Sequence, residues 1–278
     1  MNNITINKLI NYFLLISSAL LGYFTFTDLQ ISIELVNKST GWANFLERFG
    51  EIPGLLVLLA GIHIYLSEHL SKLKLRKVVV TLFSLAAASY IFRYLLIVIY
   101  VGITGSIESL ESYKLIITIF SITANTVVAI FLSKKQFTES VKLFSKSSVL
   151  LGLYGYLLLV QPFKILWGRV RFRDLDPLYS NFTNWFTPNG INGNDSFPSG
   201  HSALAWMLLP TLFLVINKRN SVKTVTFLLI TIWGISVGLS RIVVGAHYAS
   251  DVVFGASVII LLFSVFCKRH YFNWQIKK

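Results

Sequence analysis

The chain has a single cysteine, Cys267, and few charged residues. One cysteine excludes an internal disulfide framework, and we expect Cys267 to pack as a small apolar side chain. Only 13% of the 278 residues are charged and 54% are hydrophobic, whereas about a quarter of the residues of a soluble domain are charged. Acidic residues are especially scarce, at 12 against 25 lysines and arginines. This composition excludes an ordinary soluble domain and indicates a membrane protein.

Long apolar runs recur along the whole chain. Eight candidate membrane spans can be read, and several are shorter than the roughly 20 residues of a full crossing. They cover about 9–27, 52–68, 78–103, 115–132, 149–167, 202–217, 222–239 and 251–267. The sequence therefore predicts an all-α integral membrane protein with about eight transmembrane helices. The longest loop between spans, at about 168–201, is of a length typical of functional loops.

The distribution of charge predicts the orientation of these spans. If the N-terminus is cytoplasmic, every loop on the cytoplasmic side is basic, as is usual in membrane proteins. Both termini are then cytoplasmic, and the excess of positive charge needs no nucleic-acid partner to explain it. The cations on that side are Lys8, Lys72, Lys74, Arg76, Lys77, Lys134, Lys135, Lys142, Lys146, Lys218, Arg219, Lys223, Lys268, Arg269, Lys277 and Lys278.

Five other cations lie in or beside two outer loops, where the orientation rule disfavours them. They are Lys164, Arg169, Arg171, Arg173 and Arg241. For Arg169 and Arg173 we expect salt bridges within the loop or contacts with lipid headgroups.

The other three of these five cations, Lys164, Arg171 and Arg241, are suited to bind a phosphate group. Lys164 and Arg171 are seven residues apart in "KILWGRVRFRD", which on a helix is nearly two turns and the same face. Arg241 begins a later stretch, "SRIVVGAHYASD". Phosphate oxygens accept charge-assisted hydrogen bonds, and the guanidinium fork matches their geometry. We therefore expect these three side chains to bind a phosphoryl group.

The stretch "PSGH" stands at the start of the sixth span. Ser199 can cap a helix there, and Gly200 allows backbone N–H groups to approach an anion at the positive helix end. His201 follows directly, so its ring is expected beside the phosphate, placed to give a proton to a leaving oxygen.

His247 and Asp251 are four residues apart at the start of the eighth span. A carboxylate bonded to one ring nitrogen fixes the tautomer and makes the other nitrogen a better nucleophile or base. The helix N-terminus favours the charged form of Asp251. We therefore expect His247 to attack phosphorus and His201 to protonate the departing oxygen. No spacing of cysteine, histidine or paired carboxylates suggests a metal site, and we expect no cofactor.

The chain carries Lys-x6-Arg, Pro-Ser-Gly-His and Ser-Arg-x5-His-x3-Asp in that order. This order resembles the three-part signature of the type-2 phosphatidic acid phosphatase superfamily. The membrane members of that superfamily are six-helix lipid phosphatases that need no metal and form a phosphohistidine. The resemblance implies a six-helix core at 78–278, with the helices of 1–77 outside it. Phe172 stands where the family usually has proline. Position by position, the resemblance implies that His247 is the nucleophile, Asp251 its partner and His201 the general acid, with the phosphate bound by Lys164, Arg171, Ser199, Gly200 and Arg241.

The sequence thus predicts a phosphatase of the plasma membrane that hydrolyses a lipid phosphate or pyrophosphate monoester on the outer face. Undecaprenyl pyrophosphate, phosphatidylglycerophosphate, phosphatidate and a phosphorylated glycolipid all fit, and the oligomeric state is left open. A phosphotransferase differs only in its acceptor. A proton-coupled transporter would place its charges near the bilayer midplane, whereas these lie at span ends. Vanadate-dependent haloperoxidases carry a similar motif set but are soluble.

Overall fold

Every regular element in the described part of the chain is helical. The structure, a computed structural model, describes residues 3–70, 75–106 and 108–271. Lys72, Lys74, Lys277 and Lys278 of the orientation argument lie outside these residues. The α-helices are α1 (Asn3–Leu35), α2 (Gly41–Phe49), α3 (Ile52–Leu70), α4 (Leu75–Thr104), α5 (Lys114–Ser133), α6 (Glu139–Leu150), α7 (Gln161–Trp167), α8 (Gly200–Trp206), α9 (Asn220–Val243) and α10 (Ala249–Phe266).

Shorter helical segments extend or connect these helices. A π-helical stretch, Leu151–Val160, joins α6 to α7, and another, Cys267–Tyr271, follows α10. Segments of 3-10 helix occupy Glu108–Tyr113, Phe172–Asp174 and Leu209–Phe213.

Seven segments of the described chain are helical, long and apolar enough to cross a membrane, which confirms the predicted helical membrane fold. They agree with seven of the eight predicted spans, although the first continues to Leu35 and the second includes α2. Their bounds are Asn7–Leu35, Gly41–Glu68, Val78–Thr104, Lys114–Ser133, Glu139–Asp174, Asn220–Val243 and Ala249–His270.

The sixth predicted span is not one continuous α-helix. Its α-helix, α8, ends at Trp206, four residues before Pro210. The ring of a proline clashes with the carbonyl of the residue four positions earlier, so the chain continues as a 3-10 segment. The segment nevertheless runs alongside α10 from one end to the other. The Ser199 amide donates to the Asp251 carbonyl at one end, and Phe213 contacts the rings of Phe263 and Phe266 at the other.

Helix α3 lies inside the bundle. Its buried side chains Leu55, Leu58, Ile62 and Leu66 recur at helical spacing on one face and join the main hydrophobic cluster. The helix packs against α4, α5, α6 and α8. The boundary at residue 77 between outer helices and core stays a prediction, but apolar side chains on both sides of it share this cluster.

Helix α1 packs along α10 and leaves an apolar face uncovered. The Ser257 hydroxyl donates to that of Ser17 between the two helices. Large apolar side chains face outward, including Phe26 on α1, which is 88% exposed, and similar residues on α4 and α5. Such a surface is costly in water and favourable in lipid, in keeping with membrane-spanning helices.

Gly54 allows α3 to touch the backbone of α8. A Cβ atom at Gly54 would lie 1.9 Å from the carbonyl oxygen of Leu204, whereas one at Gly22 on α1 would meet no atom within 4 Å. We predict that Gly54→Ala lowers the Tm of the detergent-solubilised protein by several degrees, since overpacking costs about 1–3 kcal/mol. Gly22→Ala serves as the control and should leave Tm unchanged or higher. Equal Tm values for both variants would contradict this packing.

Candidate active site

The three motifs meet at one end of the bundle, and the long loop between α7 and α8 connects them. The Ser196 amide donates to the Arg169 carbonyl at 3.0 Å. The Ser196 carbonyl oxygen lies 2.6 Å from Nδ1 of His247. The Ser199 amide donates to the Asp251 carbonyl at 3.0 Å. One short segment of the loop therefore contacts both the first and the third motif.

His247 is almost fully buried, and two acceptors face its Nδ1. The nearer is the Ser196 carbonyl, while the predicted partner, Oδ2 of Asp251, lies at 3.6 Å. Because a carbonyl oxygen only accepts, Nδ1 carries the hydrogen and Nε2 keeps its lone pair. Burial lowers the pKa of His247 to about 3, with Lys164 and Arg241 contributing and Asp251 opposing. The ring is therefore neutral near pH 7. The sequence could not predict this contact with the Ser196 carbonyl, because every residue has a backbone carbonyl and the residue type does not show which one is used.

Asp251 is held by groups from several elements. Its Oδ2 accepts from the Tyr248 amide at 3.0 Å, at the N-terminus of α10, and from the Ser196 hydroxyl at 2.6 Å. Its Oδ1 accepts from Nη1 of Arg169 at 2.5 Å. The side chain is fully buried, so these bonds fix the carboxylate beside His247.

Arg169 is a central residue of this site, a position that sequence reasoning did not give it. The side chain is 0% exposed, which excludes the expected contact with lipid headgroups, and its salt bridges are not within the loop, as expected, but reach Asp28 on α1 and Asp251 on α10. Its guanidinium also lies 4.0 Å from the centroid of the Tyr248 ring. Asp28 could have indicated this arrangement from the sequence, because an acidic residue within an apolar helix requires a partner. The predicted first span ended one residue too early to include it.

Lys164 and Arg171 converge on Asp195, but not from one helical face. The helix α7 ends before Gly168, which has a φ of 55°, so the predicted helical relation between the two cations is wrong. A side chain at Gly168 would collide with the carbonyl of Gly190, which explains the glycine. Nζ of Lys164 donates to the Asp195 carbonyl at 2.5 Å, and Nη2 of Arg171 lies 2.6 Å from Oδ1 of Asp195.

The short helix α2 approaches the site from the N-terminal part of the chain. Glu47 pairs with Arg241 at 3.3 Å and with Arg173 at 2.9 Å, so Arg173 forms a salt bridge with α2 and not within the loop as expected. Nε2 of His201 lies 3.1 Å from the Glu47 carbonyl and 3.8 Å from Oε2 of Glu51. Sequence reasoning missed both acids because no local motif surrounds them.

Two arginines of the site have buried nitrogen atoms that make no hydrogen bond within the described residues. These are Nε of Arg171 and Nε and Nη1 of Arg241, although Nη1 lies 3.3 Å from Oε1 of Glu47 as an ion pair. Buried donors without an acceptor are costly, and a phosphate oxygen is a strong acceptor for them.

Ser199 and Gly200 begin α8 as expected. Ser199 is the N-cap, and its hydroxyl accepts from the Ser202 amide. Gly200 lies against the side chain of Lys164, because an added Cβ would be 3.3 Å from Cε of that lysine. Burial, together with Arg241 and His247, lowers the pKa of the neighbouring His201 well below its ordinary value. His201 is therefore also neutral near pH 7 before an anion binds.

Phe172, which departs from the family pattern, packs among aromatic side chains. Its ring stacks on Tyr179 at 5.8 Å and meets the edge of Tyr248 at 6.4 Å. Arg171 just before it has an extended backbone and is the N-cap of the 3-10 segment Phe172–Asp174.

The fold and the site define a helical, multi-span membrane protein with a buried histidine–aspartate pair beside a cluster of cations. Residues 145–275, which contain all three motifs, match the PAP2 superfamily. The predicted resemblance to the type-2 phosphatidic acid phosphatase superfamily is thereby confirmed.

Curated relatives match parts of the chain. It is 32% identical over 82 residues to "Phosphatidylglycerophosphatase B" of Bacillus subtilis (strain 168), a match covering 28% of this chain and 40% of that protein. It is 38% identical over 71 residues to "Lipid A 1-phosphatase" of Rhizobium etli, covering 25% and 28%, and 35% identical over 88 residues to that of Rhizobium johnstonii, covering 30% and 33%. The chain thus spans less than half the length of each of these relatives. No solved structure matches.

Asp195 places a carboxylate between two of the cations expected to bind phosphate. Partial burial alone would raise the pKa of Asp195, but Lys164 and Arg171 outweigh it and hold the pKa below its ordinary value. The charged carboxylate therefore competes with an anionic ligand. We predict that Asp195→Asn tightens binding of inorganic phosphate about 2- to 5-fold, since a part-exposed ion pair contributes roughly 0.5–1 kcal/mol.

Competitive inhibition or calorimetry would measure this change in phosphate affinity. Asp176→Asn is the matched control, because Asp176 lies in the same loop and its side chain contacts only loop groups. Weaker phosphate binding in Asp195→Asn would show that the carboxylate instead positions the cations.

Proposed function

We propose that the protein is an integral membrane phosphatase that hydrolyses a lipid phosphate or pyrophosphate monoester through a phosphohistidine, without a metal. The observation that carries the proposal is the neutral, buried His247 with its Nδ1 occupied, beside cations that retain buried donors. A free Nε2 lone pair is a nucleophile, and buried guanidinium donors that make no hydrogen bond suit a phosphoryl group.

The reaction proceeds in two steps, formation of the phosphohistidine and its hydrolysis. Lys164, Arg171 and Arg241 hold the phosphoryl oxygens, and the backbone at Ser199 and Gly200 lies beside them. Nε2 of His247 attacks phosphorus, the bond from phosphorus to the lipid oxygen breaks, and His201 gives that oxygen a proton. A water molecule then attacks the phosphohistidine while His201 takes its proton, which releases phosphate and restores the neutral His247.

The role of His201 as an acid requires a proton that the neutral ring lacks. The pKa of His201 is lowered by burial and by the positive charge of Arg241. A phosphate dianion bound between Arg241 and His201 offsets that charge and raises the pKa of the ring. Substrate binding therefore supplies the condition under which His201 holds a proton.

The substrate class follows from the setting of the pocket at the end of apolar helices. The phosphate of a lipid reaches such a site while its acyl or prenyl chains stay among the helices. The names of the matched relatives specify phosphatidylglycerophosphate and lipid A phosphate as their substrates. We propose a lipid monophosphate or pyrophosphate as the substrate here, with the site on the outer face of the plasma membrane and both termini in the cytoplasm.

Phosphate release by the purified protein tests the reaction. With a chelator present, we predict hydrolysis of at least one lipid from a panel of phosphatidylglycerophosphate, phosphatidate, undecaprenyl pyrophosphate and a phosphorylated glycolipid. His247→Asn should lower kcat by about 1,000-fold or more, since it removes the nucleophile. His270→Asn, an exposed position in the segment Cys267–Tyr271 that follows the opposite end of α10, is the matched control and should retain full activity.

Three outcomes would contradict parts of this scheme. Retained turnover in His247→Asn would exclude that residue as the nucleophile. Loss of activity with the chelator, restored by a divalent metal, would refute the metal-free mechanism. Product that forms only when a second lipid or sugar is added would identify a phosphotransferase.

The orientation is tested by a single cysteine in the long loop. Ile191 is 77% exposed, and Cys267 is the sole native cysteine. We predict that Ile191→Cys in a Cys267→Ser background reacts with a membrane-impermeant maleimide in intact cells. Val222→Cys, exposed near the start of α9 on the predicted cytoplasmic side, should react only after lysis. The reverse pattern would invert the topology.

A further inference from the structure

Asp28 of α1 reaches the candidate site from outside the region that matches the family. The residue is 2% exposed. Its Oδ1 accepts from the Ser250 amide at 3.0 Å, and its Oδ2 accepts from the Ser250 hydroxyl and from Nη2 of Arg169, the latter at 3.0 Å. It therefore contacts both the first-motif loop and the start of α10.

Arg169 connects this carboxylate to the one beside His247. Its Nη1 donates to Asp251 at 2.5 Å and to the Ser250 hydroxyl at 2.9 Å, while its Nε donates to the Thr183 carbonyl. The fork of the guanidinium thus has one carboxylate on each terminal nitrogen. All of its nitrogen atoms are engaged, which fixes the plane of the group.

Two buried carboxylates share one buried cation. Arg169 and Asp251 are 0% exposed, so water does not screen their charges. Without the charge of Asp28, the guanidinium would pair with Asp251 alone and move toward it. Asp251 would then lose negative potential at Oδ2, the atom that faces Nδ1 of His247.

We propose that Asp28 is a positioning residue for the reaction: through Arg169 it sets the place and effective charge of Asp251, and thereby the orientation of His247. This inference rests on the proposed function. It also gives α1 a purpose beyond membrane anchorage, since the helix supplies one of two acids in a network that the matched region, 145–275, does not complete by itself.

A comparison of two acid-to-amide variants on α1 tests the proposal. Asp28→Asn should lower kcat about 10- to 100-fold, as small misplacement of a reacting group does. The inhibition constant of inorganic phosphate should change less than twofold, because Asp28 touches none of the phosphate-binding cations. Glu34→Gln, an exposed acid near the end of the same helix that bonds Gln30, should leave kcat unchanged. Asp28→Glu keeps the charge and should give an intermediate kcat.

A double-substitution cycle separates positioning from general stability. If Asp28 acts through Arg169, Asp28→Asn should lower kcat by less than twofold when Arg169→Gln is already present. Equal losses in both backgrounds would overturn the proposal, as would an unchanged kcat in Asp28→Asn. A weakening of phosphate inhibition as large as the loss in kcat would show a collapsed pocket and would also overturn it. If Asp28→Asn does not accumulate as folded protein, Asp28→Ser takes its place, and full activity in Asp28→Ser would overturn the proposal.

Failure of the proposed function gives a different result. If the wild-type protein hydrolyses no lipid phosphate of the panel, the proposed function fails. The thermal unfolding of the wild type, Asp28→Asn, Arg169→Gln and the double variant then still reports whether Asp28 and Arg169 are coupled. Absence of that coupling overturns the network on which this inference depends, whatever reaction the protein performs.

Discussion

The buried ion pair between Arg169 and Asp251 is the interaction on which the candidate site depends. Neither side chain is exposed, and a buried charge without hydrogen-bonded partners is strongly destabilising. The loop must supply Arg169, α10 must supply Asp251, and α1 must supply Asp28 before the charges are satisfied. Because Asp251 is fixed in this way, Nδ1 of His247 faces both its carboxylate and the Ser196 carbonyl, and one tautomer is favoured.

The cations expected to bind phosphate follow the same physical constraint, but their acidic partners are less buried. Like charges repel, so cations gathered in one pocket need acids nearby. Asp195 forms ion pairs with Lys164 and Arg171, whereas Glu47 forms ion pairs with Arg241 and Arg173. These carboxylates are partly exposed, unlike Asp28 and Asp251. Under the proposed function, a phosphoryl group would replace these carboxylates at the cations, while Asp28 and Asp251 stay in place.

The N-terminal part of the chain belongs to this arrangement although the family match begins at residue 145. Glu47 on α2 contacts two of the motifs, and Gly54 on α3 touches the backbone of α8. Hydropathy identifies these segments as spans but assigns them no part in the chemistry. Their contribution depends on contacts with residues more than a hundred positions away, as the Asp28–Arg169 pair illustrates.

The sequence by itself determined the helical membrane fold, seven of its spans and the three motifs, since hydropathy and motif spacing are properties of one segment at a time. Pro210 in the sixth span could also have been read locally, because its ring forces α8 to end. Only the tertiary structure decided that Lys164 and Arg171 meet across a helix end, that Ser196 contacts His247 and that Arg169 is shared by two acids. Those contacts join distant segments through loop geometry and backbone atoms, and neither is encoded in a local pattern of residue types.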